Sequence, residues 1–220
     1  MRVLIILMFL SNLNQAQSLP KGFAYLKDEV PSIEEDIRYF TDNNFIGERI
    51  NGYLTPKSIM TIEATKALKE VQKSLKPMGL GLKVFDAYRP QKAVDHFVRW
   101  GLDLNDTKMK SIYYPNVEKK NLFKEGYIAK RSGHSRGSTI DLTLIELKSK
   151  KELDMGSDFD LFGKLSWFNF SEITSVQKEN RLFLHNIMLQ NDFKFYAQEW
   201  WHFTLKNEPY PHKYFNFDID

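Results

Sequence analysis

The chain has 220 residues, no cysteine, a formal net charge of +3 and 14% aromatic residues. That length supports one sizeable core rather than two. The lysines are scattered, which argues against a basic track for nucleic acid, and the lack of cysteine excludes disulfides, thiolate zinc sites and cysteine nucleophiles, so any metal must be held by His, Asp or Glu.

In chain order, the first segment reads as a signal peptide over residues 1–18. Arg2 is a short positive region, Val3 to Leu10 is apolar, and Ala16-Gln17-Ser18 has the small-x-small form of a cleavage site. The apolar run is too short for a permanent membrane span; the bland alternative is a buried N-terminal helix. The expectation is an exported protein, periplasmic or secreted, whose mature domain covers residues 19–220 without stable membrane insertion.

Val30 to Tyr39 reads as an approach segment with Ile33 and Ile37 at helical spacing. Tyr39-Phe40 is a candidate strand start, Asp42-Asn43-Asn44 is a turn signal, and Arg49 to Leu54 is a short strand or loop. Thr55-Pro56 suits the start of a helix, with Thr55 as N-cap and Pro56 at the first helical position. Ile59, Ile62, Leu68, Val71 and Leu75 then fall near one face, and Pro77 and Gly79 end it. Leu80 to Tyr88 reads as a strand, and Pro90 opens a second helix with Ala93, Val94, Phe97 and Trp100 inward. Residues 103–131 look polar and irregular, a long excursion over the surface.

Thr139 to Leu147 alternates as a strand, with Ile140, Leu142 and Leu144 on one face and Thr139, Asp141 and Thr143 on the other. Asp154 to Asp160 is an acidic loop with a glycine turn. Ser175 to Gln190 predicts an amphipathic helix with Val176, Leu182, Phe183 and Ile187 inward, and Phe193 to Tyr196 and Trp201 to Leu205 two last strands. Helices flanking a small, largely antiparallel sheet make a single α+β domain.

Two clusters carry the chemistry. Ser132 to Asp141 places His134 and Asp141 seven positions apart, and Glu199-Trp200-Trp201-His202 adds a carboxylate and a second imidazole. Together they offer three ligands for a catalytic zinc on the sheet and a spare carboxylate as base. Each residue alone has a plainer reading: His134 as a strand-end histidine, His202 as a core residue, Asp141 as a turn cap, Glu199 as a solvated carboxylate. In a regular strand Glu199 and His202 would also face opposite ways, so the zinc reading requires the backbone near Trp200 to turn or bulge. Arg89, where a strand stops and a helix begins, suits either an oxyanion contact or a structural ion pair, with Asp86 as one possible partner. Gly133-His134-Ser135-Arg136-Gly137 fits the G-x-S-x-G elbow of serine hydrolases, but that elbow needs a following helix and the residues after it alternate as a strand. His96, His185 and His212 take structural readings.

Four stretches in this order and spacing resemble the D-alanyl-D-alanine dipeptidases of the VanX type, zinc peptidases related to the D,D-carboxypeptidases. They are Phe85 to Pro90, Ser132 to Leu144, Asp154-Met155-Gly156 through Phe159-Asp160, and Glu199 to His202. The resemblance implies one zinc on His134, Asp141 and His202, Glu199 as general base and Arg89 as stabiliser of the tetrahedral intermediate. It also implies that Tyr39, Ser132 and Asp160 receive the amino group of a small dipeptide substrate. The chain departs from the family at Thr139, where the family usually carries Ala. The expected reaction is hydrolysis of D-alanyl-D-alanine to two D-alanines. The rival expectation is an extracytoplasmic D,D-carboxypeptidase or other peptidoglycan peptidase that accepts longer peptides, and a third is a catalytically silent zinc- or peptide-binding module, against which Glu199 and Arg89 both speak.

Overall fold

The computed structural model describes residues 19–220; the expected signal peptide, residues 1–18, lies outside the described residues. The strands and helices follow the order β1 (Phe23–Tyr25), α1 (Leu26–Glu29), β2 (Glu34–Glu35), β3 (Ile59–Thr61), α2 (Ile62–Leu75), β4 (Leu80–Asp86), α3 (Gln91–Leu102), α4 (Lys110–Tyr113), β5 (Thr139–Glu146), α5 (Ser175–Gln190), β6 (Phe193–Tyr196) and β7 (Glu199–Leu205). β1 and β3 form a small antiparallel ribbon. The main sheet runs β2-β4-β5-β7-β6, antiparallel except for the β2–β4 edge. This is the α+β domain that the alternation and helical spacing imply.

Several local expectations are corrected. The helix expected from Thr55-Pro56 begins at Ile62, because Ile59–Thr61 pairs with Phe23–Tyr25 as a strand. Thr61 then serves as N-cap, its hydroxyl accepting from the Ala64 amide. Ile62 consequently points outward, while Leu68, Val71 and Leu75 are fully buried. Arg38–Phe40 is a turn of 3-10 helix rather than a strand start. It is closed by Asn44, whose side-chain amide donates to the Thr41 and Glu48 carbonyls and accepts from the Ile46 and Gly47 amides. The Asn side chain does for this loop what a sheet partner would have done for a strand.

Residues 103–131 are not a surface excursion. Tyr113, Tyr114, Val117, Leu122 and Ile128 all enter the core, because the aromatic and aliphatic residues in that stretch cap the open side of α3, where Trp100 meets Tyr114. On α5 the inward stripe is Arg181, Leu184, Ile187 and Met188, whereas Val176 and Leu182 are exposed. A buried arginine sits in the middle of that stripe, so a purely apolar reading of the face misplaces it.

Arg181 is 2% exposed. Its Nε, Nη1 and Nη2 donate to the carbonyls of Met155, Trp167 and Leu165 at 2.6, 2.7 and 2.9 Å. The guanidinium thereby ties α5 to the irregular loop that carries Asp160. Arg181→Met keeps the bulk but leaves three inward carbonyls without donors. It is expected to cost on the order of 3 kcal/mol, read as a lower urea midpoint at unchanged slope.

Candidate active site

Sheet register assembles the centre. Asp86 on β4 stands opposite Asp141 on β5, and Asp141 stands opposite His202 on β7, so three adjacent strands present one polar row. An irregularity between Val84 and Asp86 brings Asp86 into that row. A second irregularity lies on the other side. Phe195 pairs with Phe203, but the next pair is Tyr196 with Glu199, leaving Trp200, Trp201 and His202 without partners on β6. The backbone departs from regular pleating where the one-sided placement of Glu199 and His202 requires it, and Glu199 Oε2 lies 3.3 Å from His202 Nδ1.

His134 comes from a 3-10 turn, Gly133–Arg136, just before β5. Ser132 caps the turn by accepting from the His134 amide, and Gly137 closes it in the left-handed region (φ 83°). A Cβ at Gly137 would lie 2.3 Å from the Phe23 ring, so only glycine fits there. His134 Nδ1 lies 2.7 Å from the Ala87 carbonyl. A carbonyl can only accept, so Nδ1 carries the proton and Nε2 presents its lone pair to the centre. Ser135, fully buried within this turn, is followed by β5 rather than a helix, so the serine-hydrolase elbow is absent here. His96 contacts Glu48 and His185 stacks on Phe168, while His212 is exposed; none of the three lines the cavity.

The residues present suit a zinc ion. His134 Nε2 is 3.3 Å from Asp141 Oδ2 and 3.3 Å from His202 Nδ1, and His202 Nδ1 is 3.0 Å from Asp141 Oδ1. Ligands on a tetrahedral zinc with bonds of about 2.0–2.1 Å lie about 3.3 Å apart. Asp141 Oδ1 is buried and accepts no hydrogen bond, an orphan that a cation would satisfy. The set of two imidazole nitrogens and one carboxylate leaves a coordination position open.

Around this triangle the charges are arranged by burial. Burial would raise the Asp141 carboxyl, but the His134 and His202 rings outweigh it and hold it well below the usual carboxylate range. Burial pushes Glu199 above its ordinary value, against the pull of His202, which suits a group that must take up a proton near neutrality. Burial, with the nearby Asp141 charge, pushes Asp160 up as well. Asp160 accepts a hydrogen bond from the Tyr39 hydroxyl at 2.8 Å.

Arg89 makes the ion pair that one of its sequence readings expected. Its Nε and Nη2 lie 2.9 and 2.8 Å from Asp86 Oδ2, and Nη2 also reaches to 3.6 Å from Asp141 Oδ2. Its guanidinium carbon is 5.0 Å from the Tyr39 and Phe97 ring centres. Asp86 is in turn held by the Tyr53 hydroxyl at 2.6 Å and lies 3.4 Å from His134 Nδ1. Tyr53 is a site-supporting residue that the sequence did not single out. The signal for Asp86 was there, a carboxylate at a core-facing position of an apolar strand, which needs a partner.

His134, Asp141, His202, Glu199, Arg89, Tyr39, Ser132 and Asp160 all line one cavity of about 250 Å³, small beside the roughly 300–1,000 Å³ of drug-sized sites. Thr139 does not line it. Its hydroxyl pairs with that of Thr204 across β5 and β7 at 2.9 Å, fully buried. The departure from the family's Ala is therefore an internal cross-strand bond. Thr139→Ala is expected to lower stability by about 1 kcal/mol and to leave turnover unchanged, measured as a thermal midpoint beside an activity assay.

A family model described as D-ala-D-ala dipeptidase matches residues 20–220. A D-alanyl-D-alanine dipeptidase of Enterococcus faecalis (strain ATCC 700802 / V583) is 40% identical over 91% of this chain and 100% of its own length. One of Streptomyces coelicolor (strain ATCC BAA-471 / A3(2) / M145) is 41% identical over 90% of this chain and 98% of its own. One of Enterococcus faecium is 36% identical over 90% and 98%. With its His-Asp-His cluster at the sheet and this match over almost all the described residues, the chain belongs to the D-alanyl-D-alanine dipeptidase family of metallopeptidases.

Proposed function

We propose that the protein hydrolyses D-alanyl-D-alanine to two D-alanines, with one zinc held by His134, Asp141 and His202. The observation that carries this reading is the placement of Glu199 and Arg89 on either side of that ligand triangle, in a small cavity that also contains Asp160 and Tyr39. When bound, zinc supplies a Lewis acid that polarises the scissile carbonyl and lowers the pKa of water. Glu199 takes the proton of the attacking water and returns it to the departing amine, so its carboxylate ends the cycle as it began. Arg89, fixed by Asp86, faces the oxygen on which negative charge develops. Asp160, Tyr39 and Ser132 hold the substrate's ammonium.

The small cavity supports dipeptides over longer peptides, because a carboxylate inside it meets the free amino group. The leader-like segment before Leu19 supports export, which puts the enzyme among cell-wall peptides; no helix of the described residues is long and apolar enough to cross a membrane.

The test is hydrolysis by the mature protein of D-alanyl-D-alanine beside a pentapeptide ending in D-alanyl-D-alanine, with and without a chelator. Chelator-sensitive cleavage of the dipeptide alone is expected. Cleavage of the pentapeptide would instead make it a carboxypeptidase, and cleavage of neither by zinc-loaded protein would sink the reading.

A further inference from the structure

The substrate proposed above is a zwitterion, and this inference rests on that reading. Asp160 and Tyr39 answer the ammonium, but the carboxylate at the other end also needs a partner once it leaves bulk water. Among the residues lining the cavity, the arginines are Arg89 and Arg131, and there is no lysine.

Arg89 is held by Asp86 and, in the reaction proposed above, is kept for the developing oxyanion. Asp86 takes its Nε and Nη2, its remaining reach is toward Asp141, and two aromatic rings flank it. Arg136, in the turn that carries His134, is paired as well. It lies outside the cavity lining and makes a two-point ion pair with Glu208 at 2.7 and 2.8 Å.

Arg131 differs from both. Among the described residues no carboxylate lies within ion-pair distance of it, and its guanidinium carbon sits 4.9 Å from the centre of the Tyr214 ring. It is exposed, and it immediately precedes Ser132, the residue that caps the His134 turn. The backbone therefore fixes its root beside the ligand triangle, and the ring of Tyr214 steadies its far end. Arg131 lines the cavity, and a planar guanidinium that no carboxylate occupies can match a carboxylate two-on-two.

We propose that Arg131 receives the C-terminal carboxylate of the dipeptide, with Tyr214 as the platform that holds the guanidinium in place. Arg131 is then a specificity-determining residue. It makes the enzyme read a free carboxylate at one end of the substrate as Asp160 reads a free amine at the other. Because Arg131 is solvent-exposed, its contact is partly screened, and its effect lies well below that of a buried pair.

The test compares D-alanyl-D-alanine with D-alanyl-D-alaninamide, which has the same scissile bond without the negative charge. In wild-type protein the acid is the better substrate in kcat/KM. In Arg131→Ala that acid-over-amide preference is expected to fall about tenfold, through KM rather than kcat, and Arg131→Lys recovers part of it. Tyr214→Leu produces a smaller loss in the same direction. Calorimetric binding of both ligands to zinc-loaded Glu199→Gln, with and without Arg131→Ala, gives the same comparison without turnover. An unchanged preference in Arg131→Ala, or equal losses on acid and amide, overturns the role of Arg131 while leaving the proposed reaction standing. Wild-type protein that neither cleaves nor binds the dipeptide overturns both.

Discussion

Glu199→Gln is expected to lower kcat on D-alanyl-D-alanine by about 10²–10⁴-fold while KM and bound metal stay near their wild-type values. The carboxylate is three-quarters buried and its Oε2 stands 3.3 Å from His202 Nδ1. It is thus beside the ligand triangle, and an amide of the same shape fills its place. What the amide lacks is the capacity to take up a proton and give it back. Release of D-alanine, followed alongside metal content by atomic absorption, separates this from a loss of the metal. A variant that kept more than a tenth of wild-type kcat would remove Glu199 from the role of base.

Asp141→Ala is expected to weaken metal binding by more than the roughly 10–100-fold typical of changes to outer-sphere groups, with activity falling in proportion to the metal lost. Asp141 is the carboxylate of the triangle, facing His134 through Oδ2, His202 through Oδ1, and also Arg89. Removing it takes away the carboxylate that both His134 Nε2 and His202 Nδ1 face. Competition against a chromophoric chelator reads the affinity. Metal affinity equal to wild type would mean that the cluster is not the centre proposed for it.

The centre was more legible in the sequence than the frame around it. Asp141, Glu199 and His202 are polar residues set in strongly alternating or aromatic segments, so their cost of burial announces a partner, while His134 in its glycine-serine turn stood out through the family resemblance. The irregularity between β6 and β7 was also implied, since three residues of regular strand would have parted Glu199 from His202. What could not be read was any feature decided by distant backbone. Thr55-Pro56 is a sound helix start in isolation, yet pairing of residues 59–61 with Phe23–Tyr25 moved the start to Ile62. The loop at Tyr39 takes its shape from one Asn44 side chain. On α5, the periodicity could not reveal that Arg181 would be buried, because the carbonyls that receive it lie in a loop with no pattern of its own. Tyr53 was invisible for the same reason: its importance comes from the Asp86 carboxylate 33 positions away.

Residues 215–219 have a bearing on how the site can come apart. The Phe215 amide donates to the Ser135 carbonyl, in the turn that carries His134, and the Phe215 carbonyl accepts from the Gln91 amide, just after Arg89. Phe217 stacks on Tyr88 at 4.0 Å and its carbonyl receives the Tyr88 hydroxyl, and Ile219 pairs with Tyr53, the residue that holds Asp86. One strap thus braces the histidine turn, the arginine and the aspartate behind them. The three supports therefore share one brace, so whatever loosens residues 215–219 is felt at the histidine turn, the arginine and the aspartate together.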